Sequence, residues 1–216
     1  MKIKLPILAI LMSLSLSLVG CNNSTNDTNT STTDSSTKNE NNTSSNSSYK
    51  TENFEIKDAD KALKQLKSGN ERFVNDKSEL INVTKERRDQ LTSGQNPYAV
   101  VVSCSDSRVT PNIVFNAGLG EIFDIRLAGN VVNDDALGSI EYGVAHANAP
   151  LIVVMGHESC GAVTAAYDKY TKGTPVEGNI EDLVEEIEPS INKDKTLDDA
   201  IRKNVTNVAN EIRSCN

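Results

Sequence analysis

Tyr98-Ala-Val-Val-Val-Ser-Cys-Ser-Asp-Ser-Arg108 is the stretch on which the fold turns. From Tyr98 to Ser103 it is a continuous, largely β-branched run of strand length, the pattern of a strand covered on both faces, as in parallel sheets. Leu151-Ile-Val-Val-Met155 repeats that pattern and leads into Gly156-His-Glu-Ser-Cys-Gly161, while Ile122-Phe-Asp-Ile125 supplies a shorter strand between them. Helical signals separate the three. Thr110-Pro111 sets a cap residue before a proline suited to the first helical position, and Asp135 to Ala147 and Gly161 to Tyr170 read as longer helices. Strands alternating with helices predict an α/β fold, a parallel sheet with right-handed crossovers. Working outward, Ala59, Ala62, Leu63, Leu66 and Phe73 follow a helical spacing from Asp58 to Phe73, and Thr84 to Leu91 predicts a second helix stopped by Gly94. Two acidic helices, Ile180 to Ile187 and Leu197 to Ile212, close the chain, and no internal repeat is visible.

The residues that carry chemistry follow the first and third strands. Carboxyl ends of strands are where open α/β sheets bind ligands, at the point where neighbouring strands send their helices in opposite directions. With strand order 2-1-3 the two strands adjoin there, and Cys104, His157 and Cys160 converge. Two thiolates and an imidazole suit Zn²⁺, and three protein ligands leave a fourth position open, the catalytic arrangement. Other readings stay open at this point: a Cys after a buried strand also serves as a small apolar filler, and Cys104 with Cys160 suits a disulfide in a protein that faces outward. With His157 assigned to a metal, His146 is the other of 2 histidines, expected as a solvated side chain at the far end of the sheet.

A chain of 216 residues has room for one domain of ordinary size and some unstructured sequence. Lys+Arg 22 against Asp+Glu 30 leaves a net charge of -8 and excludes a basic surface for nucleic acid. Without Trp and with 4% aromatics, stacking platforms are excluded as well. Residues 1–20 read as a signal peptide: Lys2 and Lys4 precede an apolar run from Leu5 to Gly20, shorter than the roughly 20 residues that span a bilayer. Leu18-Val-Gly-Cys21 resembles the lipobox of bacterial lipoproteins, which implies that Cys21 is acylated and holds the protein on the extracytoplasmic face of the cell membrane. Residues 21–50 form the lipidated Cys and its tether. From residue 22 to 50 there are 8 Asn, 8 Ser and 7 Thr and no aliphatic side chain, too little apolar surface to offset chain entropy. As a flexible coil that segment would reach roughly 30 Å. Residues 51–216 are then the folded domain. Its acidic balance repels anionic headgroups, so the membrane contact is expected through lipid only.

Cys104-Ser-Asp-Ser-Arg108, followed by Gly156-His-x-x-Cys-Gly-Ala162, resembles the β-class carbonic anhydrases. Leu66-Lys-Ser-Gly-Asn-Glu-Arg-Phe73, Gly118-Leu-Gly-Glu-Ile-Phe123, Ala128-Gly-Asn130 and Leu137-Gly-Ser-Ile-Glu-Tyr142 extend the likeness, which is close over residues 58 to 166 and looser beyond. The resemblance implies a lyase with one Zn²⁺ per chain on Cys104, His157 and Cys160, which interconverts CO2 and bicarbonate through a zinc-activated water. It implies a catalytic dyad of Asp106 and Arg108, in which a bidentate guanidinium keeps the carboxylate ionised and aimed, and a homodimer or larger assembly through the first helix. Several family members carry a substrate-binding Gln near Ala117, and Ala117 cannot form that hydrogen bond. A CS2 or COS hydrolase of the same fold, and a zinc-stabilised but catalytically silent lipoprotein, are the competing readings. The family's further C-terminal strands have no counterpart among the apolar runs here. The expected sheet therefore has three strands, with Leu151 to Met155 as an apolar edge of the kind natural proteins avoid and Cys215 unpaired beside it.

Overall fold

Strand β1, Ala99–Cys104, is buried along its whole length. It is the middle strand of a parallel sheet, with β2, Ile122–Leu127, on one side and β3, Ile152–Met155, on the other. This is the order 2-1-3 expected from the sequence. The computed structural model describes residues 55–215. The expected signal peptide at residues 1–20, Cys21 and the expected tether to residue 50 lie outside the described residues. Among the described residues no helix is long and apolar enough to cross a membrane.

Alternation along β1 builds two layers. Val100 and Val102 pack with Ile125, Val132, Ala136, Ile140 and Val208 on one face, and Ala99 and Val101 pack with Ala62, Leu66, Ala117 and Ile122 on the other. Side chains of period two go to opposite faces, so a strand apolar at every position demands helices on both. Helix α1, Ala59–Val74, covers one face with Ala62 and Leu66, and α4, Asp134–Ala145, covers the other with Ala136 and Ile140. Between them lie α2, Lys85–Gln90, and α3, Pro111–Val114. Helices α5, Gly161–Lys172, α6, Ile180–Ile187, and α7, Leu197–Ser214, enclose a third apolar cluster that includes Cys104, Cys160, Val163, Val184, Ile187 and Ile201.

Several boundaries differ from the sequence reading for local reasons. The second helix ends at Gln90 and tightens into a 3-10 turn, Leu91–Ser93, before Gly94. Helix α4 begins one residue early because Asn133 takes the cap, accepting from the Ala136 N–H at 3.0 Å, which places Asp134 and Asp135 in a first turn that favours negative charge. Helix α5 runs on to Lys172, where Gly173 closes it at φ 72°. Leu151 lies outside β3, though its carbonyl still accepts from the Val100 N–H at 2.8 Å. As expected, β3 is an edge among the described strands. Its residues are only partly buried, unlike those of β1, and Ile152 is 36% exposed. Cys215 is a free, exposed thiol.

Candidate metal centre

Cys104 closes β1, and Cys160 stands at the N-cap of α5. The chain from β3 to Cys160 turns through Ser159 in the left-handed region, φ 55°, which lets His157 and Cys160 face the same point. The ligand atoms of Cys104, His157 and Cys160 all lie within 4.8 Å of one another. The two sulfurs are 3.9 Å apart. Two sulfurs each about 2.3 Å from a tetrahedral ion stand about 3.8 Å apart, so the spacing fits a shared ion. Both cysteines are free thiols in this arrangement, so the disulfide reading is not what the structure adopts.

His157 is oriented for the same role. Its Nδ1 lies 2.9 Å from the carbonyl oxygen of Glu158, so Nδ1 carries the proton and Nε2 presents its lone pair. That Nε2 is buried without a hydrogen-bond partner. An orphaned buried acceptor of this kind calls for a ligand, and an ion completes it. Burial pushes the Cys160 thiol up, and the neighbouring Cys104 adds to the rise, while the Val163 and Ala162 N–H groups at the start of α5 pull it back. A cation between the sulfurs would cancel both penalties.

Asp106 and Arg108 lie beside this cluster as a bidentate pair. Arg108 Nε donates to Oδ1 at 2.9 Å and Nη2 to Oδ2 at 2.7 Å, and the Arg108 N–H reaches Oδ1 at 2.9 Å. The guanidinium and backbone donors hold the Asp106 carboxyl well below the usual carboxylate range. Oδ2 is 3.9 Å from His157 Nε2. The dyad therefore borders the cluster while both its oxygens stay engaged by Arg108. His146 is exposed at the C-cap of α4, with its ring 5.0 Å from that of Tyr142, and Ala117 is buried beneath α1.

Arg126 is a part of the site that the sequence reading missed. From the C-terminal end of β2 its Nη2 donates to the carbonyls of Asp106 at 2.7 Å and Cys104 at 3.1 Å, and its Nε reaches Cys104 O at 3.2 Å. It clamps the turn that presents Cys104 and Asp106. Arg126 lies one residue from the end of β2 and opposite Ser103 of β1, a register that the sequence does not announce. Gly129 was also missed: its N–H donates to Cys104 Sγ at 3.3 Å. Here a glycine is required, because the backbone is left-handed at φ 71° and a Cβ would lie 2.7 Å from Ile187 Cδ1.

Fold and cluster together define a class, an open parallel α/β protein with a three-ligand, metal-competent site where β1 and β3 meet. The model of the carbonic anhydrase family matches residues 99–215, and the chain belongs to that family. It is 48% identical over 130 residues to carbonic anhydrase 2 of Mycobacterium tuberculosis, covering 60% of this chain and 63% of that protein. A Mycolicibacterium smegmatis carbonic anhydrase matches to the same extent. The chain thus spans just under two thirds of the length of these relatives. Among solved structures, the Coccomyxa β-carbonic anhydrase in complex with acetazolamide superposes with a TM-score of 0.53 at 24% identity, over 69% of this chain and 71% of that one. Tetrameric β-carbonic anhydrases from Sordaria macrospora give 0.52 at 22% identity, over 72% and 82%. These two likenesses establish the β-carbonic anhydrase fold.

Proposed function

We propose that this chain is a zinc-dependent carbonic anhydrase that interconverts CO2 and bicarbonate. One observation carries the reading: Cys104, His157 and Cys160 bring their ligand atoms within 4.8 Å, with Nε2 of His157 buried and unpartnered, beside an ionised aspartate. Cys104 Sγ, Cys160 Sγ and His157 Nε2 would hold the ion. When bound, zinc supplies a water whose pKa falls to about 7. Asp106, ionised beside the cluster, would accept a hydrogen bond from that nucleophile and orient it toward CO2. Arg108 keeps Asp106 ionised and takes up both carboxylate oxygens, which would hold the carboxylate back from the cation. The proton released goes to solvent and buffer, since His146 is exposed on α4 rather than at the cluster.

The test is metal analysis and stopped-flow CO2 hydration on the full chain. Expected are about one zinc per chain and activity, with zinc lost in Cys104→Ala, His157→Ala and Cys160→Ala and kept in Asp106→Ala, which loses turnover. A zinc-loaded chain without CO2 hydration overturns the catalytic reading.

Two further parts of the proposal rest on narrower support. An assembly of at least two copies is supported by the exposed apolar side chains Leu63, Phe73 and Val74 on α1, and sedimentation tests it. Attachment to the bacterial membrane through acylated Cys21 is supported by the sequence Leu18-Val-Gly-Cys21. Cys21→Ser is expected to move the protein from the detergent phase to the aqueous phase.

A further inference from the structure

The buried stripe of α7 contains one polar residue that packing does not require. Ala200, Ile201, Asn204 and Val208 face inward, and Asn204 is only 1% exposed. An amide buried without partners is destabilising, and an apolar side chain would fill the same space. Both polar atoms of the Asn204 side chain are engaged instead. Its Nδ2 donates to the carbonyl of Gly129 at 2.7 Å, across 75 positions of sequence. Its Oδ1 accepts from Ser190 Oγ at 3.3 Å, and Ser190 Oγ in turn accepts from Asn207 Nδ2 at 2.9 Å. At the other end of the chain of bonds, the Gly129 N–H donates to Cys104 Sγ.

We propose that Asn204, oriented by Ser190, is a positioning residue for the metal centre, acting through Gly129 on the sulfur of Cys104. Gly129 has the widest backbone freedom of any residue type and sits at φ 71°. Two hydrogen bonds fix it, one at its N–H and one at its carbonyl. The carbonyl bond is the one supplied by a side chain outside the metal cluster, so it can be altered without touching a candidate ligand. Without Asn204 the buried Gly129 carbonyl loses its donor, the glycine relaxes to recover one, and its N–H swings off the sulfur. Arg126 does not compensate, because it holds the Cys104 backbone carbonyl rather than the thiolate. A thiolate that keeps its N–H donor has a fixed direction, and partners that orient metal ligands typically contribute 10–100-fold in metal affinity.

The inference rests on the zinc reading of the site, and its test separates the two. Zinc affinity of the full chain is measured by chelator competition, and the thiolate-to-metal charge-transfer absorption is recorded after loading with Co²⁺. Asn204→Ala is expected to weaken zinc binding by about tenfold or more and to shift the cobalt band. Ser190→Ala, which leaves Asn204 in place but unorients its amide, is expected to act in the same direction by a smaller factor. It decides the matter if Asn204→Ala does not fold. Val208→Ala, one turn further along the same buried stripe and outside the hydrogen-bond chain, is the control and should leave affinity and band unchanged. Wild-type affinity and spectrum in both Asn204→Ala and Ser190→Ala, or an equal loss in Val208→Ala, overturn the positioning role. A wild-type chain that binds no zinc overturns the functional reading instead, and the positioning role with it.

Discussion

Gly156 joins β3 to His157, and a methyl group added there meets α7. A Cβ at Gly156 would stand 2.5 Å from Val205 Cγ2, with Asn130 Oδ1 at 3.5 Å and Ile201 Cγ2 at 3.9 Å. Only the first contact is impossible, since carbon atoms rest about 3.5–4.0 Å apart. The backbone at Gly156 is outside the left-handed region, so Gly156→Ala acts by steric conflict alone. Helix α7 or the end of β3 must move by about 1 Å, and overpacking of this kind costs about 1–3 kcal/mol. Val205→Ala removes two methyl groups from a half-buried position. At about 0.8 kcal/mol per fully buried methylene, its cost is about 1 kcal/mol. If the two effects were independent the double variant would lose about 2–4 kcal/mol. Instead Val205→Ala removes the atom that Gly156→Ala strikes, so the double variant is expected to lose only about 1 kcal/mol, a coupling of about 1–3 kcal/mol. Urea unfolding followed by far-ultraviolet circular dichroism measures all four corners of the cycle, and chelator competition on the same samples reports His157. Zinc affinity should fall in Gly156→Ala and recover in the double variant. Additivity within about 0.5 kcal/mol would refute the account of β3 and α7 as directly packed beside His157.

Further outcomes follow from other contacts. Gly69→Ala should destabilise the fold although alanine is the better helix former by about 1 kcal/mol, because its Cβ would overlap the Phe115 carbonyl oxygen and α1 would have to lift off. A thermal midpoint at or above wild type would count against that contact. Arg126→Met should cost about 2 kcal/mol through the lost charge-assisted bonds to Cys104 O and Asp106 O and lower CO2 hydration more than zinc content, as read by denaturation, metal analysis and stopped flow. Arg108→Ala should return the Asp106 carboxyl toward the ordinary range near 4. A depressed carboxyl stabilises the native state above its unfolded pKa and loses that stabilisation as pH falls through its folded value, so the metal-free variant should be less stable than wild type at pH 6. The gap should close progressively below about pH 4 in acid-unfolding curves.

Much of this protein was legible because its signals are local. Strand runs rich in apolar residues, the Thr110-Pro111 start and the Gly94 stop are each decided by a few consecutive residues, and with helical periodicity they placed the three strands and seven helices among the described residues to within a few positions. The candidate site was legible for a related reason: Cys104, Asp106 and Arg108 occupy one strand-end turn, and His157 and Cys160 another. The order 2-1-3 then suffices to bring them together. Carbonyl donors and buried amides were not legible, because their partners are set by packing. Arg126 reads in sequence as one polar residue in a strand, and Asn204 as one polar residue in an amphipathic helix. Which carbonyl each meets depends on the β1–β2 register and on how α7 lies over the turn at Gly129. The approach of α1 to Phe115 and of Val205 to Gly156 is equally silent in the chain. Periodicity fixes which face of an element is buried, whereas the atom that face touches is fixed only when the tertiary structure brings distant elements within van der Waals and hydrogen-bond distance.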